Sequence, residues 1–375
     1  MLLLIPGPVT TDPRVRAAAA QDYAPWDHDF RDLYARLRTR ILAIAGGRAG
    51  EHATLPLPGC GHFAIEACVR TFVPPGGRIL VPLTGQYADR IRRLASEAGR
   101  VVVPLTIEDD QPTSPDAVQR ALEADPTITH LACVYSETST GIIHDVPALA
   151  QAAARAGRRV IVDAVSALGA LPFDIGALPM VDSVTFTSNK CFEGLPGSSF
   201  TVASVPQLEA CAHQAGSWSL DMAALYRHSV EFGWGSHRFT PAAGVLAAFD
   251  VALDLFDAEG GQPARLARYT ANMQTLYDGV QTIGLRPTLS RAVQGPIVLN
   301  VDAPGHPSPD PAWDLQAFVD ALKRHGALIS NFYNTKHPSI RLGCIGAITP
   351  HDMRRVVEGM GAVLSEMGIA RRAAA

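Results

Sequence analysis

The pattern of apolar runs predicts an α/β protein with a larger N-terminal and a smaller C-terminal domain. Three observations carry this. Through roughly the first two thirds of the chain, short, continuous, β-branched runs alternate with helical patterns. That is the signature of buried, largely parallel strands covered by helices. The character then changes to two long helical patterns followed by a second, shorter alternation. The length, 375 residues, also exceeds what one hydrophobic core ordinarily serves.

Taken in order, the strand candidates of the first part are residues 78–83 (RILVPL), 129–135 (THLACVY), 159–165 (RVIVDAV), 183–187 (SVTFT) and 200–205 (FTVASV). Helix candidates are residues 63–72, 87–98, 114–124 and 146–156. Beyond Thr240, helical patterns cover residues 244–255 and 264–283, separated by AEGGQP. Strand candidates follow at 296–301 and 327–330, with a closing helix near 350–367. A boundary is expected near residue 260. Residues 1–259 then form an N-terminal segment and the large domain, and residues 260–375 the small one.

Composition narrows the function classes. Hydrophobic residues are 47% and charged residues 18% of the chain, which suits a well-buried enzyme and not a disordered chain. The net charge is −4 with both signs interspersed, so neither nucleic acid nor an anionic membrane is the expected partner. The apolar run of MLLLIPGP is too short for a signal segment and is stopped by Pro6-Gly7-Pro8. The six cysteines are scattered without a CxxC. They are expected as reduced thiols of a cytoplasmic protein, and neither a disulfide frame nor a metal site is expected. Among the 32 basic residues only Lys190, Lys323 and Lys336 are lysines. Chemistry that needs a lysine amine therefore has three places to look.

Lys190 ends a strand pattern and precedes the loop CFEGLPG, where open α/β sheets bind ligands; a solvated strand-end lysine is the bland alternative. Asp163 interrupts an apolar strand, where an unpaired carboxylate is costly. It calls for a cation, such as the protonated ring nitrogen of pyridoxal phosphate, unless it merely caps the next turn. Gly59-Cys60-Gly61-His62 precedes a helical run and can present backbone N–H groups to a phosphate, although glycines before a helix are common. Tyr87 follows a strand and can stack on a planar ring, or simply fill core. The hydroxyls of SETSTG, Thr138 among them, can contact a cofactor or cap a helix. Arg341 in IRLGCIG can clamp a substrate anion or form a surface ion pair.

The order of these elements resembles the class V aminotransferases of pyridoxal-phosphate fold type I, and among them the 2-aminoethylphosphonate:pyruvate aminotransferases. The resemblance covers nearly the whole chain. It is carried by PGPVTTDPRV, by DPTITHLACVYSETSTG, by IVDAVSALGALPFDI and SNKCFEGLPG, and by SLDM, RFTP and RLGCIG in that order. It implies the aspartate-aminotransferase-like fold, with a mostly parallel seven-stranded sheet in the large domain. It implies pyridoxal 5'-phosphate, with Lys190 as the Schiff-base lysine and Asp163 as partner of the ring nitrogen. Val165 and Tyr87 would flank the ring, and Thr138 would meet its phenolic oxygen. Gly59, Cys60, Gly61, His62 and Asn189 would hold the phosphate, with Thr240 reaching it from a neighbouring subunit of a homodimer. Arg341 would bind the carboxylate or phosphonate of small amine and keto-acid substrates.

The chain departs from that pattern at three places. GCGHFAIEA stands where a GSGS-type loop is usual, and its Gly-His pair is similar to alanine–glyoxylate enzymes. HQAGSWSLDM lacks basic residues before SLD, and ISNFYNTKHPS replaces an IYPGK-type turn. The competing expectations are an alanine/serine–glyoxylate aminotransferase, a lyase or desulfurase using Cys344, and a non-catalytic protein on the same fold. LGCIG is an apolar setting for Cys344, which favours an inert thiol.

Overall fold

A computed structural model describes residues 1–333 and 335–369. The strands are β1 (Leu2–Leu4), β2 (His52–Pro58), β3 (Arg78–Leu83), β4 (Val101–Thr106), β5 (Ile128–Val134), β6 (Ser136–Glu137), β7 (Ile142–Ile143), β8 (Arg159–Asp163), β9 (Val181–Thr187), β10 (Ser198–Ser204), β11 (Val298–Asp302), β12 (Ala327–Ile329) and β13 (Ser339–Gly343). Seven form one sheet in the order β2-β10-β9-β8-β5-β3-β4, parallel except at β10. This is the mostly parallel seven-stranded sheet expected from the sequence.

Alternation along the central strands buries both faces. Leu80, Leu131, Cys133, Val160, Val162 and Val184 face one apolar core, which takes in the helices His28–Ile44, Pro115–Ala124, Val146–Arg155 and Ala243–Glu259. Their neighbours Ile79, Val81, Ala132, Val134 and Ile161 face a second core under Gly61–Phe72, Gln86–Glu97 and Met222–Phe232. A strand of period two covered on both sides reads as a continuous apolar run, which is why these strands were legible.

Within the seven-stranded sheet, the strands absent from the sequence expectation are β2 and β4, at its two edges. Both contain proline: Pro56 and Pro58 in one, Pro104 in the other. Proline cannot donate to a ladder and is tolerated at edges, in keeping with their position.

The C-terminal part packs a separate core between the helices Gly261–Thr282, Leu315–Arg324 and Pro350–Glu366 and the strand pairs β11-β13 and β1-β12. Leu4 is part of that core, because β1 runs parallel to β12. The chain thus begins on the C-terminal part, and Gly7 and Pro8 are carried from there to the edge of the large sheet where its parallel strands end.

Candidate active site

The carboxyl ends of β2, β3, β5, β8 and β9 open on one side of the large sheet. β2 and β9 each pair antiparallel with β10, so they point the same way. A cleft of about 300 Å³ lies there, in the position where open α/β sheets bind ligands. Cys60, Gly61, His62, Tyr87, Asp163, Val165, Asn189 and Lys190 all line it.

Asp163 is the last residue of β8 and is 8% exposed. Its Oδ1 accepts the backbone N–H of Val165 at 2.9 Å. Burial, reinforced by the Glu137 carboxylate and only partly offset by that hydrogen bond, pushes its carboxyl up to about 6. A group so placed gains from a cationic hydrogen-bond donor.

Lys190 leaves the sheet three residues after β9. Burial lowers its ammonium, and the Arg341 guanidinium adds to the effect, against Tyr87 and Asp163, which raise it. Lysine nucleophiles are activated in this way. Tyr87 lies in the first turn of Gln86–Glu97. Burial alone would raise its phenol, but Lys190, Thr138, Arg341 and Arg90 together hold it below its ordinary value.

Glu137 sets the position of Tyr87. Its fully buried carboxylate accepts the N–H groups of Tyr87 and Ala88 at 3.2 Å each and the Ser139 hydroxyl at 2.5 Å. A carboxylate at a helix N-terminus satisfies donors the helix cannot. Burial nonetheless raises the Glu137 carboxyl.

The glycine loop opens the helix Gly61–Phe72, which starts at Cys60 without a side-chain cap. Cys60, Gly61 and His62 at this helix start line the cleft, and a helix N-terminus favours an anion. A Cβ on Gly61 would meet Val165 Cγ2 at 2.5 Å, so only glycine fits there. Gly59 precedes this turn with φ +114°. His62 Nδ1 lies 3.1 Å from Cys60 Sγ, and burial together with Arg90 lowers its imidazole.

Arg341 is on β13, 5% exposed. It donates to Ser330 Oγ at 3.0 Å from one terminal nitrogen and lies 5.0 Å over the Phe332 ring. Its charge acts on both Tyr87 and Lys190. Thr138 is buried behind the cleft. Thr240 is exposed and does not line the cleft of its own chain.

Sequence reasoning missed Gly7, Pro8, Arg90, Thr187 and Pro196, which also line the cleft. Gly7 and Pro8 were read as the stop of an apolar run and as part of PGPVTTDPRV, not as cleft residues. Thr187 carried a usable signal, since it closes β9 just before Ser-Asn-Lys.

The class V aminotransferase family model matches residues 26–328. The chain belongs to that family. Relatives named 2-aminoethylphosphonate–pyruvate transaminase, from Pseudomonas entomophila and Burkholderia ambifaria, are each 39% identical, with 98% of this chain covered and 98% and 97% of theirs. Among solved structures, an aspartate aminotransferase of subgroup IV from Thermus thermophilus superposes with a TM-score of 0.84 at 27% identity, covering 98% of this chain and all of that one. Pyridoxamine–pyruvate aminotransferase from Mesorhizobium loti shares the fold with a TM-score of 0.89 at 22% identity, covering all of this chain and 94% of that one.

As a class V aminotransferase the protein uses pyridoxal 5'-phosphate, and the cleft fits it. Asp163 offers a buried carboxylate that accepts the Val165 N–H. The Thr187 hydroxyl is buried without a hydrogen-bond partner, a cost that a polar ligand removes. The uncapped helix start at Cys60 suits a phosphate. Among the described residues no group of His, Cys, Asp and Glu could hold a metal ion, and no helix is long and apolar enough to cross a membrane. Cys344 is fully buried and its thiol is pushed up to about 12 by burial, so it is not a desulfurase nucleophile.

Proposed function

We propose that this aminotransferase moves the amino group of 2-aminoethylphosphonate to pyruvate, giving phosphonoacetaldehyde and alanine, in two half-reactions at one site. The observation that carries this reading is 39% identity, along 98% of both chains, to transaminases named for that pair. Glyoxylate aminotransferases also match nearly the whole chain, but at 22–23% identity that likeness supports the shared fold and not the substrate.

Bound pyridoxal phosphate supplies an aldehyde that takes up the amino group and a conjugated ring that withdraws electrons from the adjacent carbon. Lys190 holds the cofactor at rest. Burial disfavours its ammonium form, and its Nζ would carry the proton from the substrate carbon to the other side of the nitrogen. Asp163, buried at the end of β8, would accept a hydrogen bond from the ring nitrogen and favour its protonated form. Val165 and Tyr87, which both line the cleft, would flank the ring, and Thr138 would meet its phenolic oxygen. Gly59, Cys60, Gly61, His62 and Asn189 bind the phosphate through N–H groups and side chains.

Arg341 binds the substrate anion, carboxylate in one half-reaction and phosphonate in the other. A guanidinium presents paired donors to either group. The donor carbon of 2-aminoethylphosphonate bears no carboxylate, so its anion lies one carbon further from the reacting centre. One arginine serves both only if the site tolerates that difference in reach.

A cytoplasmic homodimer fits the same reading. Trp26 and Trp218 are each 72% exposed, and Phe63, Phe232 and Trp234 are exposed as well. Pro58, just before the glycine loop, shares a small cavity with His228, His237, Arg238 and Phe239. Arg227, His237 and Arg238 each keep a buried nitrogen without a partner. An apolar, under-bonded surface beside the cleft suits a second subunit whose Thr240 reaches this phosphate site.

The test is the visible absorption of the cofactor-loaded protein. Adding 2-aminoethylphosphonate without acceptor should remove the band, and pyruvate should restore it. A band that responds only to alanine or serine with glyoxylate would replace this reading by the glyoxylate type.

A further inference from the structure

Lys190 and Arg341 come from different parts of the chain, yet one buried ionic cluster ties both together. Glu193 follows Lys190 by three residues and has φ +60°, a left-handed conformation rarely adopted outside glycine, asparagine and aspartate. Its N–H donates to Lys190 O at 3.0 Å, closing the loop that carries the lysine. Its carboxylate points away from the cleft into the helix Gly261–Thr282. There Oε1 accepts from an Arg268 terminal nitrogen at 2.7 Å and lies 2.6 Å from the Tyr269 hydroxyl. Arg265, 1% exposed, lies 3.4 Å from the same oxygen and donates to Cys191 O at 2.6 Å. The Nε atoms of both arginines donate to Glu259, each at 2.7 Å. Two carboxylates thus balance two guanidinium groups.

The far side of the cluster holds the segment that follows β13. Arg268 donates to Gly346 O at 2.5 Å and Ile348 O at 3.1 Å, and Gly346 N–H donates to the Tyr269 hydroxyl at 3.3 Å. Asn272, on the same helix, donates to Cys344 O at 3.0 Å. The helix therefore grips the loop after Lys190 on one side and the loop after Arg341 on the other. None of these atoms lines the cleft. A local cap of the 190–194 loop would need no arginine pair and no contact with residues 344–348.

We propose that Glu193 is a positioning residue: through Arg265, Arg268 and Tyr269 it holds the loop of Lys190 and the strand of Arg341 at one fixed separation, so that a substrate anchored by its anion presents its reacting carbon to the lysine. The inference rests on the roles proposed above for Lys190 and Arg341. It differs from a role in folding because it predicts which kinetic constant changes.

The test is Glu193→Gln in the cofactor-loaded enzyme, with rates expressed per bound cofactor. A misplacement near 1 Å between reacting groups costs about 100-fold. The expected result is a kcat reduced about 10- to 100-fold for the aminoethylphosphonate–pyruvate couple, with KM and cofactor Kd within about threefold. An unchanged kcat per bound cofactor overturns the proposal, whether or not cofactor affinity falls, as does a rise confined to KM. Should Glu193→Gln not fold, Tyr269→Phe keeps the packing and the charges while removing the hydroxyl between the two loops. It should lose about 3- to 10-fold in kcat, again without a KM change, and a wild-type kcat overturns the proposal. If the wild type turns over alanine and glyoxylate instead, the substrate reading fails alone, and the same split is expected with that couple. A wild type inactive with both couples overturns both readings.

Discussion

Gly7 and Lys190 occupy adjoining space: a Cβ on Gly7 would lie 2.5 Å from Cδ and 2.7 Å from Nζ of the lysine. The N-terminal segment, anchored by β1 on the C-terminal part, thus forms one wall against the reactive amine. Gly7 also has φ +138°, which L side chains rarely adopt. Gly7→Ala should therefore displace Lys190 while leaving the distant core intact. The expected outcome is a folded protein whose cofactor occupancy or kcat falls about tenfold or more, followed by cofactor titration and steady-state rates.

Lys190→Ala removes the only lysine in the cleft, since Lys323 lies in the helix Leu315–Arg324 and Lys336 pairs with Asp109 on the surface. Turnover should fall by about three orders of magnitude or more, with circular dichroism unchanged. Normal activity in this variant would end the mechanism proposed for the site.

Asp163 makes stability of the cofactor-free protein depend on pH with an unusual sign. Its carboxyl sits at about 6 in the folded chain against an ordinary 3.8. The folded state therefore binds the proton more tightly. The stabilisation is fully present below pH 3.8 and is lost as pH rises through 6, an effect of at most about 3 kcal/mol. Asp163→Asn in the cofactor-free protein should raise Tm at pH 8 and lose that advantage between pH 6 and 4. The same variant should reduce kcat about 100-fold or more, because an amide does not hold the ring nitrogen protonated. Denaturation curves across this range, paired with rates, read both effects.

Arg341→Lys keeps a charge but loses the planar fork and the contact over Phe332. The kcat/KM for both the phosphonate and the keto acid should fall about 10- to 100-fold. A loss confined to one partner would mean that a second group binds the other anion.

Light scattering tests the homodimer. The wild type should have twice the chain mass, and Trp26→Asp with Trp218→Asp should shift it toward a monomer with little activity. An active wild-type monomer would remove Thr240 from the phosphate site.

The central strands and covering helices were legible because period and β-branching are local properties. β3 spans the same residues in the sequence expectation and in the structure, and β5, β8, β9 and β10 differ only at their ends. The order of the glycine loop, Tyr87, Thr138, Asp163 and Lys190 was legible for a related reason: each follows a parallel strand, and such strands all point to one side. β2 and β4 escaped although VVVPLT of β4 has the same form as RILVPL of β3; only their pairing at the two sheet edges identifies them.

By itself the sequence determined the layered fold, the scarcity of lysines that singled out Lys190, and the buried carboxylate at Asp163. The tertiary structure alone decided what surrounds them. It brought Gly7 against the lysine, set Glu137 under Tyr87, and joined Lys190 to Arg341 through Glu193, Arg268 and Tyr269. These relations depend on packing between segments far apart in the chain. Local propensity and periodicity carry no record of which distant surface a side chain will meet.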